Sequence, residues 1–299
     1  MKSVNRIALL GLGLISGSLA KALKSADWPG EIWAWGPREP SLALGKQLGV
    51  VDDFDLDLNR VLADADVVVV GAPPAATGAL LNSILPQLAR REKPPAVTDL
   101  ASIKGHVVAE IDGTYDFFVP GHPIAGSEHS GVGASDGALF VGREVILTPL
   151  PSTDADALET IREMWLQTGA YVTEMAIVDH DHALAASSHM PHMLAYALTR
   201  RLIADPLNPM QHGGGALRDM TRIAGSDSLM WRDIALTNRE AVLRAVDDFS
   251  AHWSQLRQLI DASDGEGLFE YFEACRSFRG AHDAVLNPLP REGEEDQPT

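Results

Sequence analysis

Arg6-Ile7-Ala8-Leu9-Leu10-Gly11-Leu12-Gly13-Leu14-Ile15-Ser16 is the stretch on which the reading of this chain turns. Its first five residues form a short apolar run, suited to one buried strand. The run passes directly into Gly11 and Gly13, and a helix is expected over residues 18–24. Gly11 permits a tight turn. Gly13 lets a diphosphate approach the backbone N–H groups at the start of a helix, where partial positive charge collects. Ser16 stands where a third glycine is usual, and that position needs only a small residue for close helix-on-strand packing. Gly11, Gly13, Leu14, Ile15 and Ser16 are therefore candidate cofactor contacts.

Outward from this turn the alternation of strand and helix continues. Glu31-Ile32-Trp33-Ala34-Trp35 reads as a second strand, and an acid at its end would hold the ribose hydroxyls of NAD. Gly36-Pro37-Arg38 stands there instead, with Glu39 beside the arginine. Gly36 and Arg38 are accordingly expected at the ribose, and NADP is expected in preference to NAD. Asp66-Val67-Val68-Val69-Val70-Gly71 is continuously apolar after its first residue, as a parallel strand covered on both faces should be. It leads to Ala72-Pro73-Pro74, where Pro73 is a further cofactor candidate, and then to an amphipathic stretch over 75–88. Ala96-Val97-Thr98-Asp99 and Glu144-Val145-Ile146-Leu147-Thr148 complete the strands. The pattern predicts an α/β domain with a doubly wound parallel sheet over residues 1–150. Pro149, Pro151 and the capping signal Ser152-Thr153-Asp154 mark its end.

The chain of 299 residues is long enough for two medium domains, and its net charge of -17 offers no basic stripe to nucleic acid or anionic lipid. No apolar run reaches the roughly 18–20 residues that span a bilayer. Residues 1–5 do not resemble a secretory signal. Cys275 is the single cysteine, which suits a reducing compartment, so a cytoplasmic location is expected. It reads as a helix core residue rather than a nucleophile.

Between the last two strands lies Pro120-Gly121-His122-Pro123-Ile124-Ala125-Gly126-Ser127-Glu128, a loop after the apolar run Phe117-Phe118-Val119. His122, held on stiff backbone at the usual ligand edge of an α/β sheet, is the candidate base. Beyond residue 150 the strand signals thin out to Tyr171-Val172-Thr173, and helical spacing dominates over 151–286. One long helix is expected from Ser226-Asp227-Ser228 onward. It carries a seam of Val242, Val246, Phe249, Trp253, Leu256 and Ile260, suited to packing on another helix within the chain or on a second copy. His189 and His192, three apart, share a helix face. With His180 and His182 they lack the cysteines or carboxylates of a known zinc pattern, so no metal is expected. Gly213-Gly214-Gly215 precedes Arg218 and Arg222, and guanidinium groups suit a carboxylate. Residues 287–299, rich in Pro, Glu, Asp and Gly, read as a disordered tail.

Taken together these segments resemble the prephenate/arogenate dehydrogenase family. The resemblance rests on Gly11-Leu12-Gly13-Leu14-Ile15, Asp99-Leu100-Ala101-Ser102-Ile103-Lys104-Gly105, residues 121–128, Ser188-His189-Met190-Pro191-His192 and Arg218-Asp219-Met220-Thr221-Arg222, in family order. Ser16 and Gly36 depart from the family pattern, and they bear on the choice of cofactor. The resemblance implies a Rossmann-type domain followed by an all-α dimerisation domain, a homodimer, and NAD(P)-dependent oxidative decarboxylation of a cyclohexadienol, prephenate or arogenate. It implies that His122 takes the ring hydroxyl proton and that Ser102, also near the cofactor, orients His122. His189 would line the substrate pocket, and Arg222, with Arg218 as alternative, would hold a substrate carboxylate. Ser127 and Glu128 would lie at the pocket mouth. A β-hydroxyacid dehydrogenase needs a catalytic lysine in its helical half, and no lysine follows Lys104. The remaining rival is a non-catalytic NAD(P)-sensing protein.

Overall fold

The computed structural model describes residues 4–126 and 129–286; the expected tail and the pocket-mouth pair Ser127 and Glu128 lie outside them. In chain order the first elements are β1 (Arg6–Leu10), α1 (Leu14–Ser25), β2 (Glu31–Trp35), α2 (Glu39–Gln47) and β3 (Asp53–Phe54). There follow α3 (Leu58–Leu62), β4 (Val67–Val70), α4 (Pro74–Leu88), β5 (Ala96–Asp99), α5 (Lys104–Ala109) and β6 (Phe118–Val119). The six strands form one sheet in the order β3-β2-β1-β4-β5-β6, every neighbouring pair parallel. Ile7, Ala8, Leu9 and Leu10 of β1 and all four valines of β4 are fully buried, so both faces of the sheet are covered. This explains why these strands read as unbroken apolar runs rather than alternations.

Two expectations are corrected by the topology. His122 does not sit in a loop: β7 (Gly121–Pro123) pairs antiparallel with β8 (Glu144–Leu147), with His122 opposite Ile146. Nor does β8 join the large sheet. It pairs in parallel with β9 (Tyr171–Glu174), giving a second sheet of order β7-β8-β9. Pro120 and Pro123 lack N–H donors, so this segment is tolerated only as a short edge strand, and it leaves the first sheet at Pro120. The expected division at residue 150 falls between β8 and α6 (Ala155–Leu166), while β9 of the same small sheet lies beyond it.

Helices then follow: α7 (Ile177–Leu184), α8 (Met190–Ile203), α9 (Gly215–Arg222), α10 (Ser228–Thr237), α11 (Arg239–Asp261), α12 (Gly265–Ala281) and α13 (Asp283–Leu286). Residues 185–189 form a wide π-type turn between α7 and α8. Pro191, which cannot donate to the preceding turn, stands just after it. The long helix expected from Ser226 onward is interrupted at Asn238, which separates α10 from α11.

By compactness the chain divides into one unit ending at Val242 and a second beginning at Leu243. Within the second, Phe249 and Trp253 stack at 6.2 Å between centroids. Trp253, Ile260, Phe269, Phe272 and Phe278 are all more than half exposed in the single chain. Cys275 is exposed on α12 rather than in a helix core, on a helix whose Phe269, Phe272 and Phe278 are exposed as well. Among the described residues no helix is long and apolar enough to cross a membrane.

Candidate active site

The direction of strand order reverses between β1 and β4, and that switch point is where open α/β sheets bind ligands. Gly11 has φ +102°, and a Cβ on it would stand 2.5 Å from the carbonyl oxygen of Gly71, so conformation and close approach both require glycine. Gly13 caps α1, and a Cβ there would meet nothing within 4 Å: the space over the helix N-terminus is open. Leu14 and Ile15 are half-buried in the first turn. Ser16 is 2% exposed, and its hydroxyl fills the room that a Cβ on Gly71 would need. It does the packing work of the missing third glycine. Gly36 is buried after β2, while Arg38 is exposed at the N-cap of α2 and forms no ion pair with Glu39 among the described residues. Pro73 is exposed at the start of α4. Open glycine backbone at a helix start, with an exposed guanidinium beyond the neighbouring strand, fits a dinucleotide.

The second cluster is centred on His122, which is 8% exposed. Its Nδ1 lies 2.9 Å from Nε2 of the fully buried His180. His180 Nδ1 lies 2.8 Å from Oδ1 of Asp181. Burial pushes the Asp181 carboxyl up. Bonds from His180 and from the N–H groups of Lys104 and Gly105 outweigh it, and the net shift is below the ordinary carboxylate range. A carboxylate only accepts, so His180 carries its proton on Nδ1. That leaves His180 Nε2 as the acceptor of the contact and His122 Nδ1 as its donor. The Nε2 of His122 is left with a free lone pair. Burial, then the electrostatic effect of His180, Lys104 and His189, hold His122 well below the usual histidine range, so it is neutral near pH 7.

Its backbone is pinned as firmly. Lys104 and Asp99, both without exposure, form a buried ion pair. Lys104 Nζ donates to the Gly121 carbonyl at 2.5 Å, and the Gly121 N–H donates to Asp99 Oδ1 at 3.3 Å. Burial lowers the Lys104 ammonium, and attraction to Asp99 and Asp181 opposes it. Asp99 also accepts from the Ala101 N–H at 3.0 Å, which ties the turn after β5 to the same pair. Ser102 is half-buried in that turn.

His189 is 1% exposed and packs edge-on to Trp231 at 6.1 Å. Burial is the main reason its pKa is lowered to about 4. His192 stacks on Trp231 with centroids 3.6 Å apart and donates from Nδ1 to the Ser188 carbonyl at 2.9 Å. Burial and the Arg222 charge hold it below the ordinary range, against the raising effect of the Ser188 bond. Arg222 is therefore near this cluster, exposed at the end of α9. Arg218 is exposed and pairs with its neighbour Asp219 at 3.4 Å. Among the described residues no group of three or more His, Cys, Asp or Glu is arranged to hold a metal ion.

Four members of this arrangement escaped sequence reading in their present roles: His180, Asp181, Asp99 and Lys104. Asp181 follows His180 directly, a pairing of base and acceptor that was visible in the sequence, but its partner His122 is 58 residues away. Asp99 and Lys104 lie in the stretch 99–105, where no local pattern reveals that they pair.

Comparison with known proteins bears on the same two regions. The model described as "Prephenate dehydrogenase, nucleotide-binding domain" matches residues 19–174, and "Prephenate dehydrogenase, dimerization domain" matches residues 178–274. The cyclohexadienyl dehydrogenase of Zymomonas mobilis is 32% identical over 287 residues, covering 93% of this chain and 96% of that protein. The prephenate dehydrogenase of Bacillus subtilis is 34% identical over 280 residues, covering 91% and 75% respectively. The crystal structure of prephenate dehydrogenase from Aquifex aeolicus with hydroxyphenyl propionate and NAD+ superposes with a TM-score of 0.87 at 32% identity, covering 93% of this chain and 98% of that one. With two matching domains in order and relatives at this identity over nearly its whole length, the chain belongs to the prephenate dehydrogenase family.

Proposed function

We propose that this protein oxidises and decarboxylates prephenate, arogenate or both, using a nicotinamide cofactor bound at the switch point between β1 and β4. The observation that carries the proposal is the buried chain of contacts from His122 Nδ1 to His180 and on to Asp181, which leaves Nε2 as the basic atom. The cofactor, when bound, supplies the hydride acceptor. Gly11, Gly13, Leu14, Ile15 and Ser16 shape its cradle, with Pro73 and Ser102 along the same edge.

His122 Nε2 takes the proton of the ring hydroxyl as that carbon is oxidised. The positive charge then gathers on the imidazole, where Nδ1–H···His180···Asp181 spreads it toward a carboxylate. The ring carboxylate leaves as carbon dioxide, its bonding pair makes the ring aromatic, and the phenolate oxygen so formed recovers the proton from His122, so the reaction does not reverse. Arg222 is assigned the substrate carboxylate, with Arg218 the alternative anchor, and His189 the pocket wall. Ser102 is assigned to the substrate and cofactor edge, the orienting of His122 falling to His180, and Ser127 and Glu128 are assigned to the pocket mouth. At net charge -17 the global field disfavours a dianion, so these local cations must offset it.

Gly36 and the exposed Arg38 favour NADP over NAD, although the Aquifex aeolicus protein holds NAD+. The division of labour places the cofactor before residue 150 and substrate binding and dimerisation over 151–286. Exposed Trp253, Phe269 and Phe272 support a homodimer, and the single free cysteine a cytoplasmic setting. Purified protein should reduce cofactor and release an aromatic product with prephenate or arogenate. Tight cofactor binding with no turnover of either would mean that the chain senses cofactor and does not catalyse.

A further inference from the structure

We infer that Asn238 is a positioning residue, whose amide holds His189 as the ring protonated on Nε2 and so decides which atom His189 offers the substrate. The role in the reaction rests on the function proposed above; the tautomer does not.

Asn238 occupies the one-residue break between α10 and α11, and its backbone is held on both sides. Its N–H donates to the Ile234 carbonyl at 3.0 Å, and its carbonyl accepts from the Val242 N–H at 3.0 Å. The residue is 6% exposed. Its Nδ2 lies 3.0 Å from the Asp181 carbonyl oxygen and 3.2 Å from His189 Nδ1. A backbone carbonyl only accepts, so the atom facing it must be the amide nitrogen; reversing the amide would set oxygen against oxygen. That nitrogen has two protons. One goes to Asp181, and the other is available to His189 Nδ1, which becomes the acceptor. A neutral imidazole with a bare Nδ1 carries its proton on Nε2. Burial keeps His189 neutral, which supports the assignment.

The consequence is a matched pair of opposite settings drawn from one residue. Through its carboxylate and His180, Asp181 leaves His122 with a bare Nε2, an acceptor. Through its main-chain carbonyl and Asn238, it leaves His189 with Nε2–H, a donor. A substrate carrying a hydroxyl to be deprotonated and oxygen acceptors to be held needs one of each.

Long-range nitrogen–proton NMR of the imidazole rings in the full-length wild-type protein reads the tautomer directly. The expected spectrum has His189 protonated at Nε2 and bare at Nδ1; a proton on Nδ1 overturns the inference without any variant. Asn238→Asp places an acceptor against Nδ1 and should move the ring proton there. With the donor lost, KM for the substrate should rise about tenfold above neutrality, the size of one hydrogen bond. It should recover as pH falls and the His189 cation restores Nε2–H. A mere packing defect would raise KM without that recovery. An unmoved tautomer in Asn238→Asp, or a moved tautomer with unchanged KM, overturns the positioning role. Absence of turnover in the wild type would instead remove the proposed function and leave the tautomer result standing.

Discussion

The cofactor crevice and the histidine cluster are built by opposite means. The crevice is made of backbone: two glycines, a helix start and the edge of two strands, with Gly11 against Gly71 and Ser16 filling the space beneath. The cluster is made largely of buried side chains joined across the chain, His122 to His180 over 58 residues, the backbone N–H of Lys104 to the Asp181 carboxylate over 77 and His189 to Asn238 over 49. The crevice tolerates many side chains but not an added Cβ at Gly11. The cluster fills its space with ordinary side chains but does not tolerate loss of a partner, since each buried donor or acceptor left alone costs about 1–3 kcal/mol. Substitutions should therefore separate the two: cluster variants should lose chemistry and keep cofactor, and crevice variants the reverse.

The largest such separation is expected at His122. His122→Asn keeps polarity and removes the base, so turnover should fall by roughly 10²–10⁴-fold with cofactor affinity little changed. Steady-state rates beside a cofactor titration check it, and near-normal turnover would end the assignment. Next comes Asp181→Asn, which replaces an acceptor of three bonds by an amide with one acceptor oxygen. The tautomer of His180 is then no longer dictated, and turnover should drop by about a hundredfold, still without loss of cofactor. A parallel loss of cofactor affinity would show that the two regions are not separate.

Smaller effects sharpen the division further. Arg222→Ala should raise KM by roughly ten- to a hundredfold through loss of a charge-assisted bond. If KM holds, Arg218 is the anchor. At the crevice, wild type should favour NADP over NAD by about tenfold in kcat/KM, the lower end for one exposed charge-assisted contact. Arg38→Ala should cut the NADP activity and leave the NAD activity nearly unchanged. Equal losses would assign Arg38 elsewhere, and a wild-type preference for NAD would show that the missing acid at Gly36 is a poor guide.

The same contrast explains what was legible in the sequence. The crevice announces itself because its pieces are contiguous: an apolar strand, then glycines, then a helix, with Val67–Val70 confirming a sheet covered on both faces. His122 stood out through its glycine and proline neighbours, yet its strand did not, because three residues with prolines at the edge carry no alternation. His180 and Asp181 were visible as a neighbouring base and acid. Nothing local reveals that their partner is on β7. The apolar seam over 242–260 lies within α11, whereas the contacts of Asn238 to Asp181 and His189 at the break before it are ones that spacing cannot convey. Cys275 misled for the related reason that α12 presents exposed aromatic residues where a core was expected.

The central claim is that His122 reacts as a neutral base whose pKa the cluster has lowered. The pH dependence of kcat/KM for the substrate, at saturating cofactor, tests it most directly. A base must be unprotonated to act, so activity is lost as pH falls through its pKa. Since burial and its neighbours hold His122 well below the ordinary 6.5, the profile should stay level past that pH and fall only on the more acidic side. That acid limb should disappear from the residual activity of His122→Asn. An acid limb at or above 6.5, or one unchanged in His122→Asn, would contradict the account.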